Sequence, residues 1–345
     1  MFTITLEPSG NCFQADNGQA LLAAGILQGI ALPYSCKTGI CRTCKGKVLK
    51  GRVNPGEVAE KYLTPAERDQ GFALLCRALA LSDCTIEVNE APRSFAPKLF
   101  PARVAAVDKL GADVAVISLR LPMNKKLMLL PGQYIEILLS DGQRRSYSVA
   151  SLAGPEGAAE IELHVRRVPG GAFTAHVFDT LKVGEIIRFE GPLGSFFLRD
   201  SSRPILMLAS GTGFGPIKAM LESLLQSRSA SVAAPVRPVH LYWGGRRRTD
   251  LYMAERARSW ADTYTDLHFV PVLSESDTAD GWQGRTGLVH EAAMEDFADL
   301  GGYEVYACGA PAMVEAARRD FVARRALPES QFFADSFFTM ADRRP

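Results

Sequence analysis

The sequence predicts three folded units in series: a small α+β domain around a cysteine loop, an antiparallel β-barrel, and an α/β doubly wound domain. Three observations carry this. Cys36, Cys41, Cys44 and Cys76 follow a C-x4-C-x2-C spacing with a distant fourth cysteine. Short alternating apolar runs, separated by Gly and Pro turns, fill residues 102–200. The apolar run 205–209 then leads into a glycine turn and a helical stretch, the opening of a doubly wound unit. At 345 residues the chain is too long for one core, since domains run to about 100–200 residues. With 47% hydrophobic and 22% charged residues it is neither disordered, collagenous nor a coiled coil. Lys and Arg total 39 against 38 Asp and Glu, so charge gives no whole-chain case for nucleic acid or an anionic membrane as partner.

Residues 1–90 open with an alternating strand at 2–6, continue through a helical stretch at 21–28 and close with a strand at 84–88. The opening lacks a basic stretch followed by an apolar one, so no secretory signal is read. The apolar segment 20–27 falls far short of the roughly 18 residues of a membrane span. A cytoplasmic protein is expected, with no membrane partner. There, seven cysteines favour metal binding or catalysis over a disulfide framework. Their spacing is the plant-type [2Fe-2S] arrangement, in which a tight loop supplies three thiolates and a distant segment the fourth. Gly39 lets the loop backbone pass close to the cluster. Zinc sites instead come as two close C-x2-C pairs. Cys12 and Cys84 have no matching partners and are expected to be small buried residues. Lys37, Arg42, Lys45, Lys47, Lys50 and Arg52 occur without an intervening acid, which leaves open a solvated basic face or a docking patch for an acidic partner.

Three prolines in residues 91–101 predict an extended linker between the first two domains. Within the barrel, 102–200, strands are expected at 114–121, 134–139, 161–168 and 186–189. In the third domain, 201–345, the strand 205–209 precedes the turn Gly211-Thr212-Gly213-Phe214-Gly215-Pro216 and a helix to Leu225. Further strands are expected at 239–243, 268–272 and 303–308, the middle one weakened by Pro271, with a surface connection at 226–238. The turn is not GxGxxG, but the free amides of a helix N-terminus after a strand suit a nucleotide phosphate.

Residues 1–90 resemble a plant-type ferredoxin domain with YSCKTGICRTCKG as its cluster loop, which implies an α+β (β-grasp) fold. One position departs: such loops place a small residue where this chain has Arg42, which bears on loop conformation and cluster potential but removes no ligand. Arg144-Arg145-Ser146-Tyr147-Ser148 resembles the RxYS motif of the ferredoxin reductase superfamily. That resemblance implies Arg145 on the flavin phosphate, Tyr147 on the isoalloxazine and Ser148 near flavin N5. The run from His164 and Val165 through Gly170 and Gly171 to Thr174 is similar to the family's stretch that ends in a pyrophosphate-binding glycine turn and hydroxyl. Backbone amides in such a turn at a helix start suit an anion. Gly211, Thr212, Gly213 and Pro216 resemble the family's pyridine nucleotide loop, and Cys308-Gly309-Ala310-Pro311 its turn beside the nicotinamide. The segment 332–337, with Asp335 and Phe337, resembles its closing aromatic and acidic segment near the flavin. Arg246, Arg247 and Arg248 fall where the family tests the adenine ribose; NADH is the expected donor over NADPH.

Taken end to end, the chain is identified as a member of the ferredoxin reductase superfamily, built as [2Fe-2S] ferredoxin, FAD-binding barrel and NAD(P)H domain. The resemblance implies an NAD(P)H-dependent oxidoreductase carrying a [2Fe-2S] cluster and FAD. A hydride delivers two electrons and the cluster carries one, so the flavin must lie between them. Ser148, Cys308 and Asp335 are the expected catalytic residues, holding hydride donor and acceptor in line. The implied partner is a protein electron acceptor: a sugar dehydratase of deoxysugar biosynthesis, or alternatively the oxygenase component of an aromatic or alkene oxygenase. A third reading is an electron relay or sensor subunit that does not use NAD(P)H.

Overall fold

The computed structural model describes residues 1–90, 95–230, 237–276 and 281–338. Parts of the expected linker (91–94), of the expected surface connection (231–236) and of the C-terminal segment (339–345) lie outside them. The described chain divides into two compact units, one built on Met1–Ala96 and the other on Pro97–Leu193 with Phe197–Phe337.

The first unit holds β1 (Phe2–Glu7), β2 (Cys12–Ala15), α1 (Leu21–Leu27), β3 (Lys45–Lys50), β4 (Val53–Asn54), α2 (Pro65–Asp69), β5 (Phe72–Leu74), β6 (Leu79–Ala80) and β7 (Cys84–Glu87). Five strands form a mixed sheet in the order β2-β1-β7-β3-β5, with β1 and β7 parallel. Alternation on β1 buries Ile4 and Leu6, and α1 buries Leu21, Leu22, Ala24 and Gly25. On β2 the same alternation buries Phe13 and turns Cys12 outward, so Cys12 is exposed, contrary to the expectation of burial; Cys84 is buried. The short helix α2 was not anticipated. Five residues carry no apolar periodicity, but its start is written in Thr64-Pro65-Ala66-Glu67: Pro65 opens the first turn, and Thr64 and Glu67 form a reciprocal capping box.

The second unit begins with the barrel: β8 (Lys98–Lys109), β9 (Val114–Arg120), β10 (Tyr134–Leu138), β11 (Arg144–Ser148), β12 (Glu160–Arg166), α3 (Ala172–Asp179) and β13 (Ile186–Leu193). The sheet runs β11-β10-β13-β8-β9-β12, and an antiparallel bridge between Val149 and Leu163 closes it. β8 starts inside the stretch read as linker. Pro101 is tolerated because Lys98–Arg103 pair with β13, while pairing to β9 begins only at Arg103. The core gathers Phe100, Ile117, Leu119, Leu163, Val165 and Phe189, with Phe100 stacked on Phe189 at 5.4 Å.

The rest of this unit is β14 (Ile205–Ser210), a 3-10 turn at Gly211–Gly213, α4 (Phe214–Ala230), β15 (Val239–Gly245), α5 (Ala254–Thr263), β16 (Leu267–Leu273), β17 (Arg285–Thr286), α6 (Val289–Asp296), β18 (Glu304–Gly309), α7 (Pro311–Arg324) and β19 (Phe332–Ser336). Helix α4 absorbs the start of the expected surface connection. All six strands are parallel, in the order β17-β16-β15-β14-β18-β19. Pro271 lies within β16 where β17 does not reach, since β17 pairs only with Val272 and Leu273. Strand order reverses between β14 and β18, the topological switch point at which open α/β sheets bind ligands.

Phe189 is fully buried at the barrel centre. Phe189→Ala should destabilise the barrel by about 3–5 kcal/mol. Urea unfolding monitored by near-UV circular dichroism checks this; a cost under about 1 kcal/mol would mean that this ring does not hold the barrel closed.

Candidate functional site

The four cysteines of the spaced motif come together in the first unit as two hydrogen-bonded thiol pairs, Cys36 with Cys41 and Cys44 with Cys76. The N–H groups of Thr38 and Cys41 donate to Cys36 Sγ at 3.3 and 3.4 Å. Bonding from Cys41 pulls the Cys36 thiol down to about 5, and bonding from Cys44 lowers that of Cys76; Cys41 and Cys44 are pushed well up as the donating partners. Among the described residues no group of three or more His, Cys, Asp or Glu side chains is placed to hold a metal ion; a two-iron cluster takes two thiolates per iron. The loop backbone is unusual: Lys37 and Arg42 have φ of 57° and 62°, and Gly39 has φ 87°. A Cβ on Gly39 would lie 2.9 Å from Arg77 Cγ. The basic run of the loop does not face water uniformly. Arg42 and Lys45 pair with Glu67, the Nζ of Lys45 and of Lys47 lie over the Phe72 ring, and Lys37, Lys50 and Arg52 are exposed.

In the second unit, the three residues expected to be catalytic converge from distant positions. Ser148, at the end of β11, donates to Asp335 Oδ2 at 3.2 Å, and Asp335 on β19 is the register partner of Cys308 on β18. All three are buried. Burial, then the charge of Asp335, pushes the Cys308 thiol well up, so it stays protonated. Tyr147 packs against Phe173 at 5.2 Å, and burial raises its phenol. The two arginines of β11 differ: Arg144 pairs with Glu136 and Glu190, whereas the Arg145 guanidinium donates to the Arg144 carbonyl and to Gln143 Oε1 at 2.6 Å. Gly170, at φ 73°, leads into Gly171, which starts α3 without a side-chain cap. The Thr174 hydroxyl is engaged within this turn, accepting from Val168 N–H and facing the Val168 and Gly171 carbonyls.

At the switch point the glycines are fixed by close approach. A Cβ on Gly213 would meet the Cys308 carbonyl at 2.2 Å, and one on Gly309 would meet Ser210 Oγ at 2.2 Å. Gly215 faces His164 Nδ1 and Ala150, so this third glycine serves packing between barrel and nucleotide sheet. Trp243 Nε1 donates to the Gly211 carbonyl at 3.0 Å while its ring stacks on Phe214 at 3.9 Å. Thr212 is buried, and Pro216 lies in the first turn of α4, where a missing N–H breaks no helical bond. Phe337 N–H donates to the Gly309 carbonyl at 2.8 Å, which ties the end of β19 to the Cys308 turn.

The sequence reading missed a polar ladder on β12. Ile161, Leu163 and Val165 point into the barrel core, and Glu162, His164 and Arg166 point the other way. Glu162 meets Lys218 of α4 at 3.1 Å, His164 Nδ1 meets Tyr252 Oη at 2.7 Å, and Arg166 pairs with Asp250 and with Asp113. Arg166 Nη1 also lies 2.7 Å from where a Cβ on Gly211 would stand. Asp250 further accepts the N–H groups of Arg246 and Arg247 at 2.8 and 3.1 Å, which shapes the arginine run. Both ring nitrogens of His164 are engaged and Val165 is core, so neither side chain is presented to a ligand. Burial lowers the His164 imidazole; it also pushes Glu162 up, but the bond from His164 and the charge of Lys218 outweigh this and hold the carboxyl at about 2.

The chain matches the 2Fe-2S iron-sulfur cluster binding domain family over residues 4–81, the oxidoreductase FAD-binding domain family over 101–198 and the oxidoreductase NAD-binding domain family over 207–319. With these domains in this order and the relatives below, the chain belongs to the ferredoxin reductase family, as an NAD(P)H oxidoreductase with FAD and a [2Fe-2S] cluster. It is 40% identical over 336 residues to the CDP-6-deoxy-L-threo-D-glycero-4-hexulose-3-dehydrase reductase of Yersinia pestis, covering 97% of this chain and 98% of that protein. It is 33% identical to the reductase component of a phenol 2-monooxygenase from Pseudomonas sp. strain CF600, covering 99% and 96%. The crystal structure of an Amycolatopsis cytochrome P450 reductase matches with a TM-score of 0.74 at 34% identity, covering 98% of this chain and 99% of that one. Among the described residues no helix is long and apolar enough to cross a membrane.

The ladder gives the protein a defined acid response. Glu162 sits at about 2 against an ordinary 4.5, and His164 lies below its ordinary 6.5. Both are depressed in the folded state, so their contribution is complete above neutral pH, begins to fall below about pH 6.5 and is lost as pH drops toward 2. Glu162→Gln should lower Tm at pH 7 and give a shallower fall in Tm between pH 5 and 3. An unchanged slope would mean that acid unfolds the protein elsewhere.

Proposed function

We propose that this reductase takes a hydride from NADH at the site formed by Ser148, Cys308 and Asp335 and delivers electrons singly, through four cysteine ligands, to a dehydratase that acts on a nucleotide-linked deoxysugar. The convergence of Ser148, Asp335 and Cys308 at the switch point carries the first half of this reading. The 40% identity to a dehydrase reductase over nearly the whole chain supports the second. The oxygenase-reductase relative and the cytochrome P450 reductase support the alternative, an oxygenase partner. The proposed compartment is the cytoplasm, where thiols are kept reduced.

FAD, when bound, accepts the two electrons of a hydride and releases them one at a time. The residues present fit it. Arg145, whose guanidinium meets neutral oxygens while Arg144 is taken by carboxylates, would hold a flavin phosphate, and Tyr147 the ring. The first amides of α3, which no side chain caps, suit the pyrophosphate, while Gly170 and Gly171 shape the turn, the Gly171 N–H donating to the Val168 carbonyl at 2.9 Å. Thr174 shapes that turn through its hydroxyl, and His164 and Val165 would contribute main chain only. Asp335 orients the Ser148 hydroxyl, and Cys308, neutral and buried, would close the nicotinamide side with Gly309 and Phe337. Gly211, Thr212, Gly213 and Pro216 would hold the nicotinamide nucleotide's phosphates at the uncapped turn. Cys36, Cys41, Cys44 and Cys76 would hold the cluster.

Cys76→Ser should abolish or alter the cluster and leave the second unit folded. NADH should still reduce the flavin in stopped flow, while cytochrome c reduction falls at least about tenfold, roughly 1.4 kcal/mol in transition-state terms. A variant with full flavin that loses hydride transfer, or one without a cluster that reduces cytochrome c normally, would sink the proposed path. The donor is tested separately. Arg246, Arg247 and Arg248 are exposed beside a cavity of about 150 Å³ lined by Arg248, Tyr252 and Trp282. Replacing all three with Ala should change the NADPH-to-NADH preference in kcat/KM by less than about tenfold, roughly 1.4 kcal/mol. A large selective loss with NADPH would show that the 2′-phosphate form is the true donor.

A further inference from the structure

Each of the four spaced cysteines is followed directly by a cation: Lys37, Arg42, Lys45 and Arg77. The structure sorts them into two kinds. Lys37 and Arg77 are exposed. Arg42 and Lys45 turn inward, with side chains only 12% and 13% exposed, and both reach one carboxylate oxygen, Glu67 Oε1, at 2.5 and 3.0 Å. The second oxygen, Oε2, accepts the Thr64 N–H at 3.1 Å, which fixes the carboxylate to the first turn of α2. Burial pushes this carboxyl up, but the Thr64 N–H and the two cations outweigh it, so Glu67 carries its charge. Arg42 meanwhile holds φ of 62° between two cluster cysteines, a conformation that a non-glycine residue adopts only when its surroundings fix it.

We infer that Glu67, acting through Arg42 and Lys45, is a positioning residue that holds the middle of the cluster loop and sets the charge the cluster meets when it accepts an electron. This rests on the reading that the four thiolates carry the [2Fe-2S] cluster. Reduction makes such a centre one charge more negative, so nearby cations favour the reduced form and a nearby anion opposes it. Glu67 is an anion held against the two inward cations. Removing its charge makes the surroundings of the cluster one unit more positive and raises the reduction potential. Removing the charge of Arg42 makes them one unit more negative and lowers it. Removing both restores the original balance.

Glu67→Gln is the clean variant, because glutamine can still accept the Thr64 N–H and keep the capping box. Spectroelectrochemical titration of the full chain, with iron and acid-labile sulfide measured on each preparation, is the experiment. Glu67→Gln should shift the potential upward and Arg42→Gln downward, each by as much as a tenfold change in the reduction equilibrium, about 59 mV for one electron. The double variant should lie close to the wild type. If Arg42→Gln assembles no cluster, Lys45→Gln carries the same downward expectation. Shifts of the same sign, no shift, or mere loss of cluster content in Glu67→Gln would overturn the role assigned to Glu67. Wild-type protein without iron and labile sulfide would instead overturn the four-thiolate reading.

Discussion

The second unit depends on one strand facing two ways. Along β12, Ile161, Leu163 and Val165 fill the barrel, while Glu162, His164 and Arg166 reach Lys218, Tyr252 and Asp250. Period-two alternation means that one strand both closes the flavin barrel and grips α4 and the segment between β15 and α5. A one-residue slip would reverse both faces at once, which specifies the register strongly. The ladder is a set of partly buried polar contacts, and such contacts are costly to break singly because the abandoned partner stays buried. Its middle member is neutral: with Tyr252 protonated by burial, the Tyr252 O–H donates to His164 Nδ1 and the opposite N–H to Glu162.

Given that grip, the switch point can be tight. Gly213 lies against the Cys308 carbonyl, Gly309 lies against Ser210, and the Ser210 hydroxyl accepts the Ala310 N–H at 2.8 Å. The turn after β14 and the turn after β18 are thus pressed together, and Asp335 arrives by register beside Cys308. Side chains at these glycines would force the strand ends apart. The glycine pattern answers to packing between strands.

Local chemistry explains what was legible in the sequence. The cysteine spacing, the glycine turn after an apolar strand and the alternating runs are local signals, and the elements they predicted are present with ends shifted by a few residues. The convergence of Ser148, Cys308 and Asp335 was legible only through resemblance to a family, because no spacing in the chain links positions so far apart. What escaped was non-local or very short. The first half of β8 hid behind Pro101, whose missing N–H is harmless where one neighbour is absent. Cys12 was expected to be buried because free cysteines usually are, but its place in the alternation of β2 decided otherwise. The basic run around the cluster cysteines read as one face, yet Glu67, far along the chain, draws two of its members inward.

The division of chemistry follows the division of the chain. The four thiols and the carboxylate that braces their loop all fall between Cys36 and Cys76, inside one compact unit. Ser148, Cys308 and Asp335 come from β11, β18 and β19, which belong to the other. A one-electron centre needs only a short loop, a distant fourth ligand and a fixed local charge, so it can be carried by a small domain with its own sheet. Hydride transfer needs two bulky cofactors held in line within a fraction of an ångström, and that demands strand ends from two sheets locked by close packing and a polar ladder. Arg42 and its partner Glu67 lie wholly within the first unit, so the charge they set is local to the thiol loop.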